Sequence, residues 1–165
     1  EIVEVVEKPA LAEQHFTIYY GDTGHSYESI MGPYLEGVKE VLVEDPYIRS
    51  NHQIQHFVRL CEMIIKHPSV RKISLLTSFD SQTGLAETLE RLEELKQSLL
   101  ELDVELKVQT NPNMHDREIR LDNGWLIKIG RGLDFYQKPN SWFEVGASDL
   151  ALRKCLETKV DIYRV

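Results

Sequence analysis

Hydrophobic residues in this chain recur at two spacings, and the alternation between those spacings outlines the elements. From Ser50 to Pro68 the apolar positions Ile54, Phe57, Val58, Cys61, Ile64 and Ile65 fall three or four apart and form one helical stripe. Ser50 and Gln53 have the spacing of a capping box at its start, and Pro68 ends it. A second helix is expected over Thr83–Leu102, with Leu85, Leu89, Leu92, Leu95 or Lys96, and Leu99 on one side and a strongly acidic, solvated opposite face. A shorter helix, Tyr27–Val38, carries a Gly-Pro break at its middle. Strands are expected at His15–Tyr20, Val38–Val43 and Val70–Ser78, the last nearly continuous in apolar character and so central and parallel. Val104, Leu106 and Val108 alternate as a further strand, and a last strand is expected at Val160–Val165.

Between them, residues 115–132 read as a hairpin. Ile119 and Leu121 alternate with charged neighbours, Asp122-Asn123-Gly124 supplies turn chemistry, and Trp125, Ile127 and Ile129 alternate again. Gly21-Asp22-Thr23-Gly24 reads as a turn and Asn111-Pro112-Asn113 as a loop. The order strand, helix, strand, helix, strand, helix, strand, then a run of strands predicts an α/β layered domain. Its mixed sheet should be parallel in the first part and antiparallel at the end, with helices on its faces. Residues 1–14, Glu-rich and interrupted by Pro9, read as a leader or linker, and 15–165 as one domain.

Composition narrows this picture. A chain of 165 residues, 42% hydrophobic and 28% charged, is of single-domain size and can bury a sizeable core. No apolar run is long enough to span a bilayer, and no signal peptide is visible. The start at Glu1 rather than Met suggests a domain cut from a longer chain. Cys61 and Cys155 read as free thiols in a reducing compartment. The formal net charge of −8 works against nucleic acid and against unspecific adsorption to anionic membranes. Any phosphate site must therefore be a local cationic cluster.

The hairpin holds the main candidate for such a cluster. With strand periodicity, His115 and Arg117 share a face, an imidazole beside a guanidinium, and Lys128 and Arg131 follow on the return strand and its exit. The segment Glu44–Arg49 looks like the polar exit of a buried strand, where ligand-facing residues are often placed, which makes Arg49, His52 and Tyr47 second-rank candidates. His115-x-Arg117-x4-Asp122 has the spacing of the phospholipase D signature His-x-Lys-x4-Asp, with Arg in place of Lys.

Longer blocks carry a more specific likeness. Glu44-Asp45-Pro46-Tyr47-Ile48-Arg49, Cys61-Glu62-Met63, Leu75-Leu76-Thr77-Ser78, the hairpin itself and Ile127–Asp134 closely resemble the phospholipase D-like domain at the C-terminus of MIT-domain proteins, from about Tyr27 to Val165. That resemblance implies a phospholipase D-like fold, a homodimer without established catalysis, and binding of acidic phospholipids, phosphoinositides included. It also implies a cytoplasmic protein peripheral to membranes, endosomal or at the midbody, linked to ESCRT-III and cytokinetic abscission. ESCRT-III tails are bound in the family by an MIT bundle that is not found in this sequence, so that partner is not expected here.

Two rival readings stay open. In one, the domain is a phosphodiesterase, a phospholipase or nuclease, with His115 as nucleophile, Arg117 on the phosphate and Asp122 supporting the motif. One copy of the motif would then require a dimer to bring two together. In the other, the hairpin and the acidic helix form a protein-interaction module. Arg117 favours binding over turnover, because a guanidinium stays charged and clamps phosphate bidentately. No cofactor is expected. His52 and His56 lie one helical turn apart, but no third ligand is evident at suitable spacing, so no metal is expected either. Gly130-Arg131-Gly132 reads as a post-strand turn, and Trp142-Phe143 as core or dimer packing in preference to a membrane-inserting wedge.

Overall fold

The computed structural model describes residues 11–78 and 84–165. Most of the expected leader, and Thr83 at the expected start of the acidic helix, lie outside the described residues. The elements in order are β1 (Gln14–Ile18), α1 (Tyr27–Met31) with a 3-10 turn (Gly32–Leu35), β2 (Glu40–Glu44), α2 (Asn51–Ile65), β3 (Lys72–Thr77), α3 (Leu85–Leu100), β4 (Glu105–Thr110), β5 (Glu118–Leu121), β6 (Trp125–Ile129) and β7 (Thr158–Arg164).

Local chemistry explains most of these boundaries. Ser50 caps α2, accepting from the Gln53 backbone N–H while the Gln53 side chain returns to the Ser50 backbone. The expected Tyr27–Val38 helix is cut at Met31: Gly32-Pro33 tightens the chain into the 3-10 turn, and Val38 N–H donates to Leu35 O at its end. In α3 the buried side chains are Thr88, Leu92, Leu95 and Leu99, whereas Leu89 is exposed. The sequence stripe was thus out of phase at its start, because the face fixed by Leu92, Leu95 and Leu99 continues back through Thr88.

The strands form a 7-stranded sheet in the order β1-β7-β6-β5-β2-β3-β4. β3 pairs in parallel with both β2 and β4, while β5, β6 and β7 pair antiparallel. The crossovers β2-α2-β3-α3-β4 run in one direction along the sheet, so right-handedness places α2 and α3 on the same face. β1 is the exception to the expected order. It lies at the far edge, antiparallel to β7, with Phe16 opposite Val160.

One core results. Val41, Val43, Ile73, Leu75, Ile119, Ile127 and Ile162 on the inward face of the sheet pack with Ile54, Phe57, Leu60 and Ile64 of α2 and Leu92 of α3. Both Cys61 and Cys155 are buried free thiols, and burial pushes Cys155 up to about 11. No helix among the described residues is long and apolar enough to cross a membrane.

Candidate functional site

The carboxyl end of β2 and the two ends of the β5–β6 hairpin nearest it meet at one corner. Glu118 of β5 lies opposite both Glu44 of β2 and Lys128 of β6 in the register. His115 and Arg117 therefore sit in the lead-in just before β5, not on the strand itself. They still reach the same place, because Tyr47, His115, Arg117 and Lys128 line one open depression of about 510 Å³.

The loop after β2 builds the floor. Asp45, buried, accepts a hydrogen bond from the Tyr47 backbone N–H at 2.9 Å, which turns the Tyr47 ring outward. Arg117 lies on that ring, its Cζ 4.2 Å from the ring centre, and its Nε is 3.6 Å from Asp45 Oδ1. Among the described residues the Arg117 Nε is buried without a hydrogen-bond partner, and the guanidinium meets the Asp45 charge and the Tyr47 ring. Burial raises the Asp45 carboxyl above its ordinary range, with the Tyr47 N–H and Arg117 pulling the other way.

Gly132 permits this packing. It has φ 66, and a Cβ there would collide with the Asp45 carboxylate and stand 3.2 Å from Arg117 Cδ. Gly130-Arg131-Gly132 is a turn, with the Gly132 N–H donating to Ile129 O at 2.8 Å.

A row of ionisable residues crosses the outward face of the sheet beside the depression. Glu44, Glu118, Lys128, Asp161 and His15 stand opposite one another in turn on β2, β5, β6, β7 and β1. Arg120 reaches Glu118 at 3.1 Å and Glu44 at 3.9 Å, and Lys128 Nζ lies 4.0 Å from Glu118. The Glu44 carboxyl is raised, first by burial and then by its neighbour Glu118. Lys128 is raised, chiefly by the Tyr163 hydroxyl beside it and then by Glu118. His15 is raised mainly by Asp161, 2.7 Å away.

The other sequence candidates do not line this depression, although the Arg49 guanidinium lies 5.6 Å from the centre of the Tyr47 ring. Asp122 is in the turn at the opposite end of β5, where its carboxylate accepts from the backbone N–H groups of Lys39 and Glu40 at 3.2 Å. At about 3.3 Å per strand residue, the five steps from Arg117 span roughly 16 Å. Asp122 therefore fastens the hairpin turn to the start of β2. Arg49 donates to Pro46 O and Ser78 O and, through Nη2, to Ser78 Oγ at 2.8 Å, stapling the loop after β2 to the end of β3. Arg131 Nε donates to Glu157 O at 2.9 Å. His52 faces Asp134 at 3.2 Å.

Lys159 also lines the depression, together with the acidic Asp116 and Asp161. Its outward position follows from the alternation of β7, but nothing in the local sequence says that β7 neighbours β6. Trp142 and Phe143 are not in the core: Trp142 is 62% exposed and Phe143 fully so, with Val145 exposed beside them.

Comparison with known proteins shows the family. Residues 24–164 match the family described as the phospholipase D-like domain at the C-terminus of MIT. MIT domain-containing protein 1 of Mus musculus is 53% identical over 143 residues, covering 86% of this chain and 57% of that protein. The chain thus spans little more than half the length of this relative. Among solved structures, a phosphatidylserine synthase from Haemophilus influenzae Rd KW20 superposes with a TM-score of 0.43 at 10% identity, over 92% of this chain and 34% of that one. The chain belongs to the phospholipase D-like domains found at the C-terminus of MIT proteins.

Proposed function

We propose that this domain binds phosphorylated lipid headgroups at a membrane surface, without cleaving them, through the depression lined by Tyr47, His115, Arg117, Lys128 and Lys159. The observation that carries the reading is Arg117: a guanidinium laid on Tyr47, its Nε without a hydrogen bond among the described residues, in an open hollow beside other cations. Its fork fits phosphate oxygens, and the outward face of the guanidinium is open to them. The position at the carboxyl end of β2, where ligands of open α/β sheets sit, also supports it. In a chain of net charge −8 the attraction is local and short-ranged, which favours a headgroup pressed against the hollow over a diffuse polyanion.

Binding without turnover is favoured over hydrolysis by two features. His115 has no hydrogen-bonded carboxylate to orient it among the described residues, and Asp122 is fastened at the far end of its strand. In this reading two copies pair as a homodimer on the membrane, and the exposed Trp142 and Phe143 add apolar contact. In a longer family member, an MIT bundle would bring ESCRT-III tails to the same surface.

Sedimentation with phosphoinositide-containing liposomes tests the proposal. Wild type should bind at low salt and less at high salt. Arg117→Ala, Lys128→Ala and Lys159→Ala should each lower binding by about fivefold, the effect of about 1 kcal/mol per cation near an anionic surface. Unchanged binding by all three variants refutes the site, and absence of binding by the wild type refutes the lipid reading.

A further inference from the structure

The third ligand missing from the sequence around His52 and His56 is supplied by the loop after β6. The two histidines are one turn apart on α2, and Asp134 faces both. Asp134 Oδ1 lies 3.2 Å from His52 Nε2 and 3.6 Å from His56 Nε2, and the three ligand atoms all lie within 4.8 Å of one another. Ligand atoms around a tetrahedral centre with bonds of about 2.0–2.1 Å stand roughly 3.3 Å apart.

His56 gives the independent sign of a cation. Its side chain is 1% exposed, and its Nδ1 lies 3.1 Å from the Tyr27 hydroxyl. That hydroxyl has one proton and donates it to Leu133 O at 2.7 Å. Nδ1 must therefore be the donor to Tyr27, which leaves Nε2 with a bare lone pair. This Nε2 is buried, without any hydrogen-bond partner, and aimed at a carboxylate oxygen. A bare lone pair on a buried nitrogen that faces a carboxylate oxygen is unfavourable unless a positive centre lies between them.

We infer that His52, His56 and Asp134 form a three-ligand site for a divalent transition cation, zinc by its donor set, with the remaining position open to solvent. Two imidazoles and one carboxylate suit zinc, whereas calcium and magnesium favour oxygen ligands throughout. The surroundings hold the ligands as such a site requires. The Nδ1–H of His56 is tied to Tyr27, and Tyr27 is tied to Leu133, the residue before Asp134, so one hydrogen-bond chain orients ligands from both elements. The Tyr136 ring stacks on His56 with centroids 5.9 Å apart. His52 is 54% and Asp134 39% exposed, which leaves room for water at the open position. Arg59 and Arg153 act on His56 in the opposite sense, as nearby cations that weaken the site without occupying it.

Zinc titration of chelator-treated protein, followed by calorimetry, tests the inference. One ion should bind per wild-type chain, and cobalt should bind at the same stoichiometry with visible d–d bands. At a hundredfold excess over Kd the melting midpoint should rise by roughly 5–10 °C. His52→Ala and Asp134→Asn, both at partly exposed positions, should lower affinity at least tenfold, and their unchanged circular dichroism shows that they fold. His67→Ala, at the separate His67–Glu28 pair, should bind as wild type does. No saturable binding by the wild type overturns the site. So does binding that survives unchanged in both His52→Ala and Asp134→Asn.

Discussion

Replacing Arg117 by Met removes the guanidinium while keeping much of its apolar length over Tyr47. The Asp45 carboxyl, 5% exposed, then loses the cation 3.6 Å away. Removing one member of a fully buried pair costs ~3–5 kcal/mol. Arg117 is 26% exposed and its Nε is beyond hydrogen-bond distance, so solvent screening reduces this to about 1–2.5 kcal/mol, including the lost ring contact. Urea denaturation at pH 7 should show that loss, and thermal melts a fall in the midpoint of roughly 2–10 °C. The pH dependence has a definite sign. Asp45 is already raised by burial, and without Arg117 it rises further. The variant's Asp45 therefore takes up a proton at higher pH than the wild type's does, and the deficit shrinks as pH falls through that value. Asp45→Asn combined with Arg117→Met should be less destabilised than the sum of the single changes, by about 1 kcal/mol. A strictly additive double variant, or a deficit that stays constant as pH falls from 7 to below the ordinary aspartate value of 3.8, would refute the pairing.

Other substitutions probe the scaffold around the site. Glu44→Gln should stabilise the domain at pH 7 by about 0.5 kcal/mol, because like charges opposite each other on paired strands repel. Since the folded Glu44 is raised above 4.5, its penalty is present above the raised value and fades as pH falls through it; thermal melts at pH 7 and pH 4 check this. Ser50→Ala should cost about 1 kcal/mol by urea denaturation through loss of the α2 cap. Asp122→Ala should lower stability by about 1–2 kcal/mol, since it releases the Lys39 and Glu40 N–H groups, while leaving liposome binding unchanged. Lipid binding that falls with Asp122→Ala in a folded protein would return Asp122 to the site.

Elements whose cause is local were legible in the sequence. The α2 stripe with its capping box, the break at Gly32-Pro33 and the turn at Asp122–Gly124 each follow from residues a few positions apart. What depends on distant partners was not. Alternation marks β1 as a strand but does not say that its partner is β7, more than a hundred residues on. For the same reason Lys159 escaped notice as a neighbour of Lys128. The phase of α3 was misread because Leu89 is as apolar as its neighbours, and only the sheet beneath decides which leucines face inward. Asp122 shows the limit of a spacing motif: the stretch from Arg117 is extended, so closeness in sequence carries the carboxylate away from the corner. Arg131 at the exit of the hairpin and Arg49 at the exit of β2 are candidates by position, yet backbone carbonyls hold both. The histidine pair on α2 was recognisable by spacing, but its acidic partner comes from another layer.

The central claim is that phosphate is recognised at the corner where β2 and the hairpin meet. A soluble inositol phosphate headgroup titrated into isotope-labelled protein, followed by amide and side-chain NMR shifts, tests it most directly. The account predicts saturable shifts centred on Tyr47, His115, Arg117, Lys128 and Lys159, with little change at Asp122 and in α3. Shifts that cluster elsewhere, or none at headgroup concentrations where liposomes bind, would contradict it.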